Sequence, residues 1–395
     1  MNARAAKRMA HGVLILHATF WILWLDYTFG WAPSPVGRDW YALREVAKSF
    51  VAGDWASVYS DRVVNSGTLF FRYPPFVLYL IAPLATVPPM VAYALVCVIQ
   101  FAAAISIIRL LFRIQRPKEP QLIIAAVFGS AAMCHVIVSG QNSALLALVI
   151  AAAGVSLAFG RNVLAGACIG LLVCKPNWLP VFGLFVLWRG GIRAGAAAAL
   201  TGAALVVSTL PLGIGLWRQF FAVTTRAGEI ATQYLPYKEI TFLAAVRSIL
   251  GFGMLTNVLW GLGIAILAVF VIRAVRDARP IGRSIALVTL LAVVANPYAS
   301  FYDGFVLVVP GMLWYAHRNA YSDRAWWIVG VWIAAYWLWD MAVFYYSQHI
   351  SRFADPRVSA AGILLSGWIV SEALARPAKD VPCFADLPVD RPCTT

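Results

Sequence analysis

Apolar runs of about 20 residues recur along the whole chain, and no other feature constrains the fold as strongly. A helix of roughly that length crosses the hydrocarbon core of a bilayer. Hydrophobic residues make up 62% of the 395 residues and charged residues 12%, with a mean hydropathy of +0.77. A soluble protein carries roughly a quarter charged residues, and transmembrane β-barrels lack such continuous apolar runs. The sequence therefore predicts an all-α polytopic membrane protein.

The basic residues predict the orientation of the chain in the membrane. Arg4, Lys7 and Arg8 precede the first apolar run, which has no A-x-A cleavage site and is interpreted as a retained anchor. Further Lys and Arg residues cluster in alternate loops, as the positive-inside rule requires. The net charge of +14 is explained in this way, so we expect no nucleic-acid binding. The pattern predicts about 12 spans with both termini cytoplasmic.

These spans make up one predicted transmembrane domain, 1–375, followed by a cytoplasmic tail, 376–395. Residues 121–138 are expected to form one span. Two short legs, 163–174 and 178–188, are expected to fold at the sequence KPN. A hairpin of 284–296 and 305–317 is expected to turn at NPYASFYDG.

The segment 33–89 is predicted to be an extracytoplasmic loop with interfacial helices. Four apolar residues recur there at helical spacing: Trp40, Leu43, Ala47 and Phe50. With Arg44 and other polar residues on the remaining faces, this pattern predicts an amphipathic helix on the bilayer surface, apolar side down, ending at Gly53. Residues 73–89, an apolar stretch interrupted by prolines, predict a second short interfacial element.

Asp39 begins this amphipathic segment, and its position allows two interpretations. It can cap the N-terminus of the helix, where aspartate is favoured. It can also be a general base at the mouth of the helical bundle. Asp26, near the outer end of the first span, is a rival because acids within membranes are often functional.

Five stretches in order carry a resemblance to a known family. They are RDWYALREVAKSFVAGDWASVY, YPPFVLYLIAPLATVP, SGQNSALLALVIAAAG, LAGACIGLLVCKPNWLPVFGLFVLWRG and ANPYASFYDGFVLVVPG. Together, from about Arg38 to Gly311, they resemble glycosyltransferase family 87. The resemblance implies a bundle of the GT-C type that uses polyprenyl-phosphate sugars, similar to the mycobacterial mannosyltransferases of phosphatidylinositol mannoside synthesis.

The resemblance also implies roles for single residues. An acid in the first extracytoplasmic loop is the proposed base of the family, and by pattern it falls on Asp39. The Gly-Gln turn of the family corresponds to Gly140-Gln141, and the lysine of its broken hairpin to Lys175. The chain departs from the pattern at Tyr302-Asp303, where many relatives carry histidines.

A lipid-linked sugar phosphate needs a cation where negative charge develops on the leaving phosphate. Lys175, between two apolar legs, suits that role, although it could instead pair with an acid for packing. Further candidates for the phosphate are Arg72, Arg226, Lys238 and Arg247, which could instead meet lipid headgroups.

One carboxylate suffices as base for an inverting transfer. Asp39 is the expected base and Asp303 the reserve, unless Asp303 only caps the next helix. Four residues are expected to contact the sugar or the acceptor: Gln141, Asn142, Asn177 and Tyr302. The Asn and Gln residues also favour turns for purely local reasons.

No cofactor is expected from the motifs. The sequence has no P-loop, no dinucleotide-binding fingerprint, and no His, Cys and carboxylate residues at metal-ligand spacing. A divalent ion at Asp39 and Asp303 stays open as an alternative, but the pattern gives it no support. The expected partners are a polyprenyl-phosphate sugar, a lipid or glycan acceptor, and membrane lipids.

Two other classes of function remain open from the sequence. A transporter or lipid flippase would favour paired broken helices in two halves, and the broken hairpin at Lys175 has no evident twin. A membrane acyltransferase would need a nucleophile beside an acid, for which His135 is the lone candidate. The favoured prediction is an inverting glycosyltransferase with an extracytoplasmic site, in a bacterial plasma (inner) membrane.

Overall fold

The computed structural model describes residues 38–59, 71–117, 119–234, 239–277, 281–317, 323–349 and 359–375. These residues form α-helices and short 3-10 helices, with no β-strand among them. The first predicted span with Asp26, the tail 376–395, and Lys238 lie outside the described residues. The all-α fold class is confirmed for the part that is described.

The α-helices of the described segments are numbered here in chain order. They are α1 (Arg38–Val51), α2 (Val77–Ala85), α3 (Pro89–Ile114), α4 (Pro120–Phe128), α5 (Ala131–Ser139), α6 (Ser143–Ala158), α7 (Asn162–Gly170), α8 (Leu179–Val207), α9 (Ile214–Tyr234), α10 (Phe242–Leu250), α11 (Met254–Asp277), α12 (Ile281–Ala295), α13 (Val308–Ala316), α14 (Asp323–His349) and α15 (Ala361–Leu374). The 3-10 helices are Trp55–Ser57, Leu171–Cys174, Pro176–Trp178, Leu210–Leu212 and Phe301–Leu307.

Several helices have the length and composition of membrane spans. Within the described ranges, three stretches are long and apolar enough to cross a bilayer: Pro89–Ile114, Pro176–Leu212 and Met254–Arg276. The bent pair α4 and α5 makes a fourth if it is counted as one span. The remaining apolar helices are shorter, so the count of about 12 spans stays a prediction.

The expected span 121–138 is not straight. Its two halves, α4 and α5, are bent by 42°. The break lies at Gly129-Ser130, where the Ser130 side chain accepts a hydrogen bond of 3.1 Å from the backbone N of Met133. A serine that caps a new helix start interrupts the preceding one, which is a signal that hydropathy does not contain.

A second break separates the predicted legs around Lys175 from the following helix. Gly191 has φ 73° and ψ −173°, outside the helical region, so α8 consists of two helical parts. The predicted second leg, 178–188, ends close to this position. The fold at KPN also agrees, since two 3-10 helices, Leu171–Cys174 and Pro176–Trp178, meet at Lys175.

Helix α1 forms where the amphipathic pattern predicted it, and Gly53 follows its end with φ +78°. Its apolar face, however, is covered by protein. Trp40 packs with Ala92 and Val96 of α3 in one buried cluster. The interpretation of a helix with its apolar side down on the bilayer is therefore wrong for this face. Burial against other helices and burial in lipid produce the same sequence pattern.

Arg44 was expected on an outward face of α1 and is instead buried. Its guanidinium donates hydrogen bonds to the backbone carbonyls of Ala85 (3.3 Å) and Val87 (2.9 Å). These carbonyls lie at and beyond the end of α2, where helical backbone acceptors lack internal partners. The arginine thus fastens α1 to the end of α2, and it positions the helix that carries Asp39.

Helix α12 lies in the core of the molecule. Its residues from Gly282 to Val294 are all buried, as expected of a helix that is apolar on every side. It packs against α8, α11, α13 and α15. The segment after its C-terminal end contains Asn296, Tyr298 and, in the following 3-10 helix, Asp303, so the main core supports one wall of the site described next.

Candidate functional site

One pocket collects polar side chains from six separate segments of the chain. It encloses about 890 Å³ of space between atoms, part of it open to solvent. The segments are the first half of α1, residues 71–73, the turn at 141, residues 175–177, residues 220–224 of α9 and residues 298–303. Seven of the residues predicted from the sequence line it: Asp39, Arg72, Gln141, Lys175, Asn177, Tyr302 and Asp303.

Asp39 lies in the first turn of α1 and faces the turn between α5 and α6. The side-chain amide of Gln141 donates a hydrogen bond to Oδ2 of Asp39. Gly140, beside it, adopts the left-handed conformation with φ +70° and caps α5. A Cβ on Gly140 would lie 2.5 Å from the Cβ of Trp40. Only glycine therefore allows α1 to dock this closely and brings Asp39 to Gln141.

Tyr73 holds the other end of the same glutamine. Its hydroxyl donates to Oε1 of Gln141 at 3.1 Å, and Oδ1 of Asn142 lies 3.4 Å away. Burial raises the pKa of Tyr73 well above its usual value, with smaller contributions from Tyr302 and nearby acids. The hydroxyl therefore keeps its proton and acts as a donor.

Lys175 and Asp303 form an ion pair on the opposite wall. The Lys175 Nζ lies 2.6 Å from Oδ1 of Asp303, and the hydroxyl of Ser143 donates to the same oxygen at 2.7 Å. The lysine also lies 5.5 Å from the ring centroid of Tyr302, within reach of a cation–π interaction. The sequence left a structural pairing of Lys175 open, and Asp303 supplies that partner.

Asn177 joins the break at Lys175 to the turn after α12. Its side-chain amide donates to Oδ1 of Asn296 at 2.8 Å and to the backbone carbonyl of Tyr298 at 3.2 Å. Asn296 also accepts from the backbone N of Tyr298 at 3.1 Å. These contacts fix the two predicted turns against each other, and Asn177 still lines the pocket.

Arg72 is the second cation on the pocket. No carboxylate of the described segments lies within ion-pair distance of it, in contrast to Lys175. Arg72 is close enough to Glu239 to oppose the rise in its pKa. Burial is the larger effect and raises the pKa of Glu239 to about 7. Ser300 donates to Oε1 of this glutamate at 3.1 Å.

The other predicted residues fall in different places. Asn142 adjoins the pocket through its contact with Tyr73. Arg247 lies over the ring of Phe252 at 5.1 Å and does not line the pocket. The side chain of Arg226 and the whole of Lys238 lie outside the described parts, so their proposed roles stay predictions.

Sequence reasoning missed four residues of this neighbourhood: Tyr73, Ser143, Glu239 and Ser300. Tyr73 and Ser143 lie within the motifs YPP and GQNS, in which the prolines and the Gly-Gln pair are the more typical turn signals. Glu239 is an acid directly before the apolar start of α10, and that context was a usable signal. Ser300 carries no signal that the sequence alone reveals.

No group of three or more His, Cys, Asp or Glu residues that could hold a metal ion occurs within the described ranges. Asp303 is occupied by Lys175 and Ser143, and Asp39 is contacted by Gln141. The absence of a cofactor stays a prediction.

A helical, strongly apolar chain with acids and cations around one pocket has the features of a membrane-associated enzyme. The family model of glycosyltransferase family 87 matches residues 70–297, more than half of the chain. The chain belongs to glycosyltransferase family 87, and the expected resemblance is confirmed. It is therefore a glycosyltransferase that uses a sugar donor and an acceptor.

The matched range includes Arg72, Gln141 and Lys175, whereas Asp39 and Asp303 lie outside it. Comparisons with curated proteins and with solved structures gave no match.

Proposed function

We propose that this protein is an inverting glycosyltransferase that moves a sugar, mannose or a similar hexose, from a polyprenyl-monophosphate donor. The acceptor is a lipid-linked sugar or a glycan at the extracytoplasmic face of a bacterial plasma membrane. Asp39 acts as general base. The observation that supports this most strongly is that Asp39 and two cations, Arg72 and Lys175, line the same pocket.

The chemistry requires a base and a cationic site that face one reacting carbon. The acceptor hydroxyl attacks C1 of the sugar and gives its proton to Asp39, while the bond from C1 to the phosphate oxygen breaks. The phosphate leaves with the bonding electrons, and the cations stabilise the charge that develops on it. Inversion follows from a single displacement, with no second carboxylate as nucleophile.

The contacts favour Asp39 over Asp303 as the base. Asp303 is nearly buried and its charge is compensated by Lys175 at 2.6 Å. The Lys175 ammonium and the Ser143 hydroxyl both contact Oδ1 of Asp303, so this carboxylate is already engaged within the protein. Asp39 receives a hydrogen bond from a neutral amide, which leaves its charge in place. Asp303 is proposed to hold Lys175 toward the pocket.

The two cations also differ in whether they contact a carboxylate. Arg72 has no ion-paired carboxylate among the described residues, and a guanidinium can bind phosphate with two parallel hydrogen bonds. Lys175 already gives one hydrogen bond to Asp303 and keeps others for a ligand. We therefore propose Arg72 as the main phosphate ligand, with Lys175 supporting it and Lys238 as a further candidate.

The sugar and acceptor contacts are proposed for Tyr302 and Asn177, which line the pocket, and for Gln141 and Asn142. The amide of Gln141 is already engaged at both ends. Its contribution to sugar binding is therefore expected to be the smallest of the four.

The test uses membranes that contain the protein and a panel of labelled polyprenyl-phosphate sugars, and follows label into new lipids or glycans. We expect Asp39→Asn to keep its fold and to lose transfer by about 100-fold or more. Asp54→Asn, an acid at the end of α1 that does not line the pocket, is the matched control. Wild-type turnover in Asp39→Asn would remove Asp39 as the base.

The same assay separates the cation roles. Arg72→Gln is expected to raise the KM for the donor more than Lys175→Ala does, because Lys175 divides its interactions between ligand and Asp303. Unchanged donor KM in both variants would contradict the phosphate assignment. Labelled donor that crosses the membrane with no new glycoconjugate formed would identify a transporter instead.

A further inference from the structure

We propose that Tyr73 and Gln141 form a hydrogen-bond relay that orients the carboxylate of Asp39, so that both are positioning residues for the proposed base. This inference rests on the proposed function and adds to it. It assigns Tyr73 a role that no sequence motif suggested, and it moves the main role of Gln141 from sugar contact to positioning.

The orientation of the Gln141 amide is the first step of the argument. A glutamine amide has a donor end and an acceptor end, and rotation by half a turn exchanges them. Toward Asp39 only the donor end is favourable, because the carbonyl oxygen would face a carboxylate oxygen. The Tyr73 hydroxyl, which donates to Oε1 at 3.1 Å, selects the orientation that presents the nitrogen to Asp39.

Tyr73 is suited to be the fixed end of this relay. Its backbone carbonyl accepts a hydrogen bond of 2.8 Å from the hydroxyl of Tyr59. Its ring contacts that of Phe71, with centroids 5.7 Å apart. The raised pKa of its buried hydroxyl means that it donates and does not ionise near neutral pH. The relay therefore starts from a group that is held on both sides.

Gln141 is held equally well by its backbone. Its N–H donates to the carbonyl of Val136 at 3.0 Å, closing the left-handed turn at Gly140. The residue as a whole is buried. Because backbone and side chain are both fixed, the amide can orient Asp39 without losing much conformational entropy when substrate binds.

The relay has a chemical consequence for the base. A neutral N–H donor stabilises the ionised carboxylate, and it adds no positive charge that would weaken proton transfer. Asp39 takes the proton of the acceptor hydroxyl and releases it to water after the sugar has moved. Gln141 and Tyr73 neither gain nor lose a proton in this cycle.

The first test is Tyr73→Phe, which removes one hydroxyl and keeps the ring. We expect kcat to fall about ten-fold at neutral pH, since the Gln141 amide loses the hydrogen bond at Oε1 and no longer holds its N–H in a fixed direction toward Asp39. The acid limb of the pH–rate profile is expected to move up by about one pH unit, and higher pH to rescue the rate. The KM for the donor should change less than about two-fold.

Tyr79→Phe is the matched control. The Tyr79 hydroxyl donates to the backbone carbonyl of Ser208 at 3.4 Å, away from the pocket, and its loss should leave the profile unchanged. A Tyr73→Phe protein that is folded and has a wild-type acid limb overturns the relay.

Gln141→Glu is the second test of the relay, and it applies if Tyr73→Phe does not fold. It keeps the shape of the side chain and replaces the donor with a second carboxylate beside Asp39. Like charges resist joint ionisation, so the acid limb is expected to move further up than in Tyr73→Phe. An unmoved limb in Gln141→Glu overturns the relay as well.

The failure of the relay is distinct from the failure of the proposed function. Loss of transfer in Asp39→Asn together with a wild-type profile in Tyr73→Phe removes only the relay. Transfer that survives Asp39→Asn removes the base itself.

Discussion

Asp39 and Asp303 are two carboxylates on one pocket, and their surroundings differ in a way that separates their roles. Asp303 is buried and contacts a lysine at 2.6 Å and a serine hydroxyl at 2.7 Å. Asp39 is partly exposed and receives a hydrogen bond from the neutral amide of Gln141. Asp303 is therefore fixed by a cation and a hydroxyl, whereas Asp39 is oriented by an amide that carries no charge.

One short turn controls both acids. Gln141 donates to Asp39, and Ser143, two residues further on, donates to Asp303. The start of α1 and the turn after α12 are thereby held against the same segment. The positions of the proposed base and of the ion pair are thereby linked, because the two donors are only two residues apart.

The largest effect on the ion-pair side is expected from Asp303→Asn. This change leaves the partly buried Lys175 without its carboxylate and should lower the free energy of unfolding by up to about 3 kcal/mol. Transfer by the folded fraction should persist, since Asp39 is intact. The measurement is thermal unfolding in detergent together with transfer per folded protein.

The double variant Asp303→Asn with Lys175→Met is the control for this prediction. Removing both charges should restore much of the stability that the single change loses. If Asp303→Asn is as stable as wild type and loses transfer as completely as Asp39→Asn, the distinction between the two acids is wrong.

An effect on the base side is expected from Gly140→Ala. The new Cβ would lie 2.5 Å from the Cβ of Trp40, in a backbone conformation that side chains rarely adopt. We expect a loss of about 2–4 kcal/mol of stability from strain and overpacking. Transfer should fall at least about ten-fold because α1 shifts Asp39 away from Gln141.

Gly53→Ala separates these two causes. Gly53 has φ +78°, and a Cβ there would meet nothing within 4 Å. It should therefore show the backbone strain alone, about 1–2 kcal/mol, with transfer retained. Equal losses of transfer in the two variants would show that contact with Trp40 does not position Asp39.

The effect that is least connected with the two acids is the pH dependence of a third acid, Glu239, which lies near Arg72 and does not itself line the pocket. Burial raises its pKa to about 7 from an ordinary 4.5. Between these pH values the folded protein keeps a proton that the unfolded chain releases, so stability should fall as pH rises through this window. The total change is on the order of 3 kcal/mol.

Glu239→Gln should remove this dependence. At pH 8 the variant is expected to unfold at a higher temperature than the wild type, and near pH 4 the two should agree. Thermal unfolding across this pH range is the measurement. A wild-type stability that does not fall between pH 4.5 and 7 would contradict the assignment.

The helices themselves were largely predictable from the sequence, for a local reason. Helical spacing of apolar residues located α1, and Gly53 marked its end. The breaks at Lys175 and after α12 were also visible, since Pro, Asn and Gly bias the backbone regardless of what surrounds it. The bend between α4 and α5 was missed because a single capping serine leaves the hydropathy unchanged.

The site depended on contacts that are distant in the chain. Lys175 and Asp303 are 128 residues apart, and Asp39 and Gln141 are 102 apart. The residue types and the family resemblance predicted seven of the residues that line the pocket. The sequence could not say that the lysine pairs with one acid and the amide with the other.

The sequence by itself determined that the chain is helical and apolar, and it placed an acid at the start of an amphipathic helix. The tertiary structure alone decided that this helix buries its apolar face, Trp40 included, against protein. It also decided that Arg44 is buried and donates hydrogen bonds to the backbone at the end of α2. The physical reason is that hydropathy records only a preference to leave water. Protein interior and lipid satisfy that preference equally, and only the packing of the helices distinguishes them.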